Sequence, residues 1–435
     1  MNSMNQELIR FIERSPSPFH AVQEVSSLLK ENGFVRLYEG KKWNLERGTG
    51  YYVVRNDSSL IAFVIGPGGD TFRIAASHTD FPTFRIKQKP ELPGPDSYLR
   101  INVEAYGGIT DSSWLDRPLG IAGRVLVRDG SAIESRLIAP DADLLMIPSL
   151  CYHFNPDVNS GYAFKVSKDM LPLFSAGSLK AGGFTGMIAE MVSAEESDIL
   201  GWDLSLVNRA KGVVWGRANE FLSAPRLDDL QCVFASLKGF LASEPANGIR
   251  VFCCFDNEEV GSRSSQGALS DFLKNTLLRI QAGIGNPEPE LGRVEANSFF
   301  ISADNAHALQ PNHPDKTDEK NFCMLNRGIV IKDNPRKYMT TAASRAVVAE
   351  LCARAGVPVQ TYHNHSDIPG GGTLGNMSAS HVSICGADVG LAHLAMHSSY
   401  ETVGALDTGY AASLYLKFYE TEITFEEETG RILLG

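Results

Sequence analysis

Five apolar, strand-like stretches of this chain run into side chains that bind divalent metals. They are RIAAS before His78-Thr79-Asp80, SAPRL before Asp228-Asp229, VFCCFDN before Glu258-Glu259, FFISA before Asp304, and VGLAHLAM before His397. A carboxylate directly after a buried strand needs a cation, a proton or solvent beside it, which limits where such a strand can end. In an open α/β sheet the carboxyl ends of parallel strands share one edge, and ligands collect there, so residues distant in sequence can converge. The set offers two imidazoles, three carboxylates able to ligate and one to spare. That inventory suits two divalent metals sharing a bridging carboxylate, with a glutamate left as general base.

The surrounding pattern agrees with such a sheet. Apolar runs from Tyr51 to Ser77 alternate with Asn-Asp-Ser and Gly-Pro-Gly-Gly turns and predict strands. After Phe221, helical spacing over Asp228–Leu241, Ser264–Gln281 and Thr341–Ala355 alternates with strand-like RVFCCFD, FFISAD, VPVQTYHN and ICGADVGLA, and a short helix is expected over Met377–His381. Strands separated by helices of that length imply a mainly parallel sheet sandwiched by helices. From Leu99 to Gly216 the texture is short β runs with little helix before Met187. The Pro/Gly-rich PELPGP at 90–95 reads as a hinge. The expected organisation is an α/β domain made from residues 1–92 and 221–435, with a β-rich domain, 93–220, inserted. Ser-Pro-Ser-Pro at 15–18 predicts a helix stop and a new start near His20.

Composition narrows the function. At 435 residues the chain is long enough for two or three domains at roughly 150 residues each. A net charge of −11 without a Lys/Arg block argues against nucleic acid and anionic membrane as partners. No uncharged apolar run reaches the roughly 20 residues needed to span a bilayer, and the first residues lack a secretory pattern. Seven cysteines, an odd number without CxxC spacing, predict free thiols and a cytoplasmic location, with Cys253 and Cys254 as small buried hydrophobes.

Each segment also has a plainer reading. His78 and Asp80, two apart on an extended backbone, point to one side, so His78 can ligate while Asp80 accepts its other ring N–H; the alternative is a strand-end histidine with an incidental turn aspartate. Asp228-Asp229 can bind metal or cap the helix that follows. Glu258-Glu259 resists a plain reading, because adjacent carboxylates after VFCCF repel unless a cation or proton intervenes; one can ligate while the other handles a water proton. Asp304 and His397 alone read equally as a turn aspartate and a backbone-satisfied histidine. Gly370-Gly371-Gly372-Thr373 lacks the Gly-Lys-Ser/Thr ending of a P-loop and reads as a close backbone approach to substrate. His363-Asn364-His365 reads as loop.

Taken in order, SPSPFHAV, SHTDFPTFRIK, NEFLSAPRLDDL, FDNEEVGSRSSQGA, ISADNAHALQPNHPDK, GIVIK and LAMHS resemble the aspartyl aminopeptidase family of metallopeptidases nearly end to end. The resemblance implies a zinc-peptidase fold and two Zn²⁺ per subunit, with Mn²⁺ or Co²⁺ as alternatives in one site. His78 and Asp304 would hold one metal, Glu259 and His397 the other, and Asp228 would bridge. Glu258 would be the general base and Asp80 the residue orienting His78. Lys332 would face an acidic substrate side chain. His307 and Met396 would line the substrate pocket, and His153 would be contributed by the inserted domain to its own or a neighbouring subunit's site. Removal of N-terminal Asp or Glu from short peptides is the implied activity, with neutral residues as the alternative within the family. The implied assembly is a dodecamer built from dimers through the inserted domain. The chain departs from the family pattern between IPSL and SLKAG, at Asp229 where some members have asparagine, and at Ala392-His393 where many have Asn-Pro. Rival readings are a carboxypeptidase or N-deacylase on the same two-metal scaffold, a non-catalytic scaffold particle, and a nucleotide-binding protein resting on the Gly-rich loop alone.

Overall fold

A computed structural model describes residues 3–244, 246–286 and 288–435. They form two compact units. One comprises the chain up to Asp80, Gly212–Met396 and Glu401–Gly435; the other comprises Phe81–Lys211 with His397–Tyr400.

At the centre of the first unit, strands Ile249–Phe255, Phe72–His78, Phe299–Ala303 and Cys385–Leu394 lie side by side and parallel within a thirteen-stranded sheet. The first two are buried at every position, which is why their sequences are mostly apolar rather than alternating, with Arg73 and Arg250 near their starts. Successive side chains still go to opposite faces. Ala75, Phe252, Cys254 and Ile301 pack with Leu8, Val25, Leu237, Leu351 and Phe418 on one face. Ile74, Ala76, Val251, Cys253 and Phe300 pack with Phe272, Leu277 and Val294 on the other. Cys253 and Cys254 are thus free, buried and turned to opposite faces.

Register sets the functional edge. His78 pairs with Phe255, and Ser302 with Ala76, so the three strands reach their carboxyl ends together. Helices on the first face are Ser3–Arg14, Pro18–Glu31, Leu227–Ala242, Ala342–Ala355 and Asp407–Glu420. The second helix starts at Pro18, two residues ahead of expectation, because Ser17 caps it by accepting the His20 N–H. Thr341 and Ser344 form a capping box on Ala342–Ala355. Two expected helices differ: residues 264–271 are irregular, leaving Phe272–Gly283, and the short helix is Leu374–Ala379.

The second unit is a six-stranded sheet with antiparallel pairing throughout, in the order Ala132–Ile138, Leu119–Asp129, Ile199–Asn208, Thr83–Pro93, Leu99–Tyr106, Leu173–Ser175. Phe84, Val103, Trp114, Ile121 and Leu204 form its core with Phe184 and Ile188 of helix Gly183–Val192. Pro90–Pro93 is not a hinge. It lies within strand Thr83–Pro93, where the pairing shifts register between Ile86 and Glu91 and absorbs the missing proline N–H. Among the described residues, no helix is long and apolar enough to cross a membrane.

Candidate metal centre

His78 closes strand Phe72–His78 and is 1% exposed. Its backbone N–H donates to Asp229 Oδ2 at 3.1 Å. Ring Nδ1 lies 3.0 Å from the Asp80 carbonyl oxygen and 3.4 Å from Asp80 Oδ1. The carbonyl is therefore the nearer acceptor, where the carboxylate was expected. The Asp80 carboxylate instead accepts the backbone N–H groups of Glu258 and Glu259, each at 3.1 Å. One aspartate thus orients both the imidazole and the turn carrying the two glutamates. Fixing Nδ1–H leaves Nε2 as the free lone pair. Nε2 stands 3.5 Å from Asp228 Oδ1 and 4.0 Å from both Asp229 Oδ2 and Asp304 Oδ1.

Asp228 and Asp229 sit in the first turn of Leu227–Ala242 with non-helical backbone angles, so they turn inward rather than simply capping. Asp304 follows strand Phe299–Ala303, and its N–H donates to the Val389 carbonyl. The neighbouring strand passes so close that a Cβ on Gly390 would stand 1.9 Å from the Asp304 carbonyl oxygen. Glu258 and Glu259 open a 3₁₀ turn after strand Ile249–Phe255.

Potential ligand atoms of His78, Asp228, Asp229 and Asp304 all lie within 4.8 Å of one another, as do those of His78, Glu258 and Glu259. Burial, reinforced by neighbouring carboxylates, drives Asp229 and Glu259 well above the usual range, pushes Glu258 up to about 8, and raises Asp304 against the pull of Lys332. Burial opposes the imidazolium of His78, yet Asp229, Asp228 and Asp80 outweigh it and hold its pKa well above the ordinary value. So many buried carboxylates around one imidazole are mutually repulsive and demand positive charge. Imidazole nitrogen and carboxylate oxygen are the donors zinc takes, so the residues fit that ion.

Lys332 ends strand Ile329–Lys332, is 2% exposed, and places Nζ 3.3 Å from Asp304 Oδ2, with the Tyr338 ring 5.7 Å away. His307 is exposed and Met396 half-buried. His153 and His397 both belong to the second unit. His153 lies in an exposed 3₁₀ turn with Nδ1 3.5 Å from Cys151 Sγ. The His397 carbonyl accepts the Thr110 N–H at 3.1 Å, and its φ of 65° lies in the left-handed region. Thr373, closing the Gly-rich run, is the N-cap residue of Leu374–Ala379, and its hydroxyl donates to buried Asp388. Glu401 carried too little local signal to be singled out as support for the cluster, and Asp229, read only together with Asp228, was not assigned a metal of its own. Glu401 Oε2 accepts the Asp228 N–H from 173 residues away.

The chain is similar over residues 11–419 to the family described as aminopeptidase I zinc metalloprotease (M18). It is 42% identical over 423 residues to a probable M18 family aminopeptidase 2 of Clostridium acetobutylicum, covering 95% of this chain and 98% of that one. Its fold superimposes on a chain of the cryo-EM structure of the Ape4 and Nbr1 complex with a TM-score of 0.91, at 33% identity over 96% of this chain and 85% of the other. It also superimposes on the S. cerevisiae mApe1 dodecamer with a TM-score of 0.84, at 29% identity over 95% and 96% of the two chains.

Proposed function

The chain belongs to the aminopeptidase I zinc metalloprotease (M18) family, and from that premise we propose a two-zinc aminopeptidase that removes N-terminal residues, Asp and Glu foremost, from short peptides. The observation that carries the reading is the buried cluster of His78, Asp228, Asp229 and Asp304 with Glu258 and Glu259 alongside, charge that a divalent cation would neutralise. His78 and Asp304 would hold one zinc and Glu259 and His397 the other, with Asp228 between them.

Zinc in such a site activates water and polarises the scissile carbonyl. Glu258 takes the proton from the attacking water and returns it to the leaving amine. Burial and the surrounding carboxylates raise its carboxyl to about 8, and cations held beside it would lower that value and leave a carboxylate able to accept the proton near neutrality. Asp80 holds the glutamate turn and the His78 tautomer through the hydrogen bonds described above. Lys332 would recognise the substrate carboxylate by a charge-assisted contact, with His307, Met396 and His153 around the peptide.

A preference for neutral N-terminal residues is favoured by one observation: Lys332 already has Asp304 as counter-charge at 3.3 Å. Zinc-loaded protein and a peptide panel differing only in the N-terminal residue separate the two. Cleavage of Asp and Glu peptides supports the acidic reading; cleavage of Leu and Ala peptides alone retires Lys332 as its determinant. The further proposals are a cytoplasmic enzyme and a homododecamer, the state in which the similar mApe1 was solved, with the inserted unit making the dimer contact.

A further inference from the structure

Glu401 is a buried carboxylate that the chemistry above does not use. It is 2% exposed, opens strand Glu401–Gly404, and accepts the Asp228 backbone N–H on Oε2 at 3.1 Å. His393, also 2% exposed, stands with Nε2 3.7 Å from the same oxygen. Arg226, two residues before Asp228, has φ 59° and donates from Nη2 to the Ile12 carbonyl at 3.1 Å. Burial lowers the Arg226 guanidinium to about 10, and Glu401 is the larger of the two charges opposing that fall.

The need for this carboxylate follows from local geometry. Asp228 lies in a first helical turn, where N–H groups have no intrahelical partner, and its backbone there is non-helical with φ −83° and ψ 110°. A buried amide in that position requires an acceptor. The acceptor reaches it from a strand 173 residues further along the chain, so the direction of the Asp228 side chain depends on where Glu401 sits.

We propose that Glu401 is a positioning residue for the metal centre: by accepting the Asp228 N–H, it sets the carboxylate of Asp228 for shared metal ligation. This rests on the zinc reading of the site. Outer hydrogen-bond partners of ligands typically change metal affinity 10–100-fold when lost.

The test is zinc affinity by chelator competition on the full chain, with thermal melts to verify folding. Glu401→Gln keeps an acceptor at the same reach and loses charge; Glu401→Asp keeps charge and withdraws the acceptor by one methylene. Expected is a loss of about tenfold or more in affinity for Glu401→Asp, with Glu401→Gln within about threefold of wild type. Wild-type affinity in folded Glu401→Asp overturns the inference, as does the reverse order of the two variants. Should Glu401→Asp not fold, a loss of about tenfold in Glu401→Gln overturns it, since the acceptor is still present. If the wild-type chain takes up no zinc, the zinc reading itself fails, an outcome distinct from either variant result.

Discussion

In the proposed mechanism Glu258 moves the proton, while Asp80 holds the glutamate turn and the His78 ring. Glu258→Gln retains size and polarity, so zinc content should match wild type while kcat falls by about 10²–10⁴-fold, the range for losing a general acid–base group. Near-normal turnover with full zinc would remove Glu258 from that role. His78→Ala takes away the one imidazole facing the carboxylates of the first unit's cluster. Metal analysis should then show zinc reduced in proportion to the site His78 serves. Segments ending in His78, Glu258-Glu259 and Asp304 were visible in sequence because each follows a mostly apolar, strand-like run; that these strands end in register is what the structure adds. The pairing of Lys332 with Asp304 and of Glu401 with the Asp228 amide was not. Both are contacts between strands and turns far apart in the chain, with no periodicity to mark them.

At the level of elements, the closeness of strands beneath the site is the sensitive feature. Gly390→Ala would put a methyl group 1.9 Å from the Asp304 carbonyl oxygen, so the two strands must separate. A destabilisation of about 1–3 kcal/mol and reduced zinc retention are expected; unchanged melting and zinc content would show that the edge tolerates movement. Helix Asp407–Glu420 offers a pH test away from the metal ligands. Asp407 accepts the N–H groups of Asn326 and Gly328, yet burial pushes its carboxyl up from 3.8 to about 7. The folded state therefore binds the proton more tightly than the unfolded chain. That stability is full below the unfolded value and lost as pH rises through about 7. Between about pH 5 and 8 the Tm of wild type should fall relative to that of Asp407→Asn; a constant or widening advantage for wild type would refute the assignment. Prolines misled at this scale: Pro90 and Pro93 read as a hinge, whereas a register shift keeps them inside one strand.

For the whole molecule, the inserted unit presents Leu150, Tyr152 and Phe154 at 55%, 60% and 78% exposure around His153. Large apolar side chains grouped this way mark a surface that another chain covers. Light scattering should give a mass near twelve times 47.4 kDa, and the double substitution Tyr152→Asp and Phe154→Asp should yield smaller species that still bind zinc. An unchanged mass would move the contact elsewhere. The α/β sheet and the β-rich insertion were both legible from the change in texture along the chain. The exact seams were not, since residues 397–400 join the second unit through contacts such as Thr110 N–H to the His397 carbonyl. The most direct test of the central claim pairs one zinc-loaded preparation with a peptide bearing a free N-terminus and its N-acetylated twin. Release of the first residue from the free peptide alone is the predicted result. Equal cleavage of the acetylated peptide, or no cleavage with zinc bound, would contradict an aminopeptidase at this site.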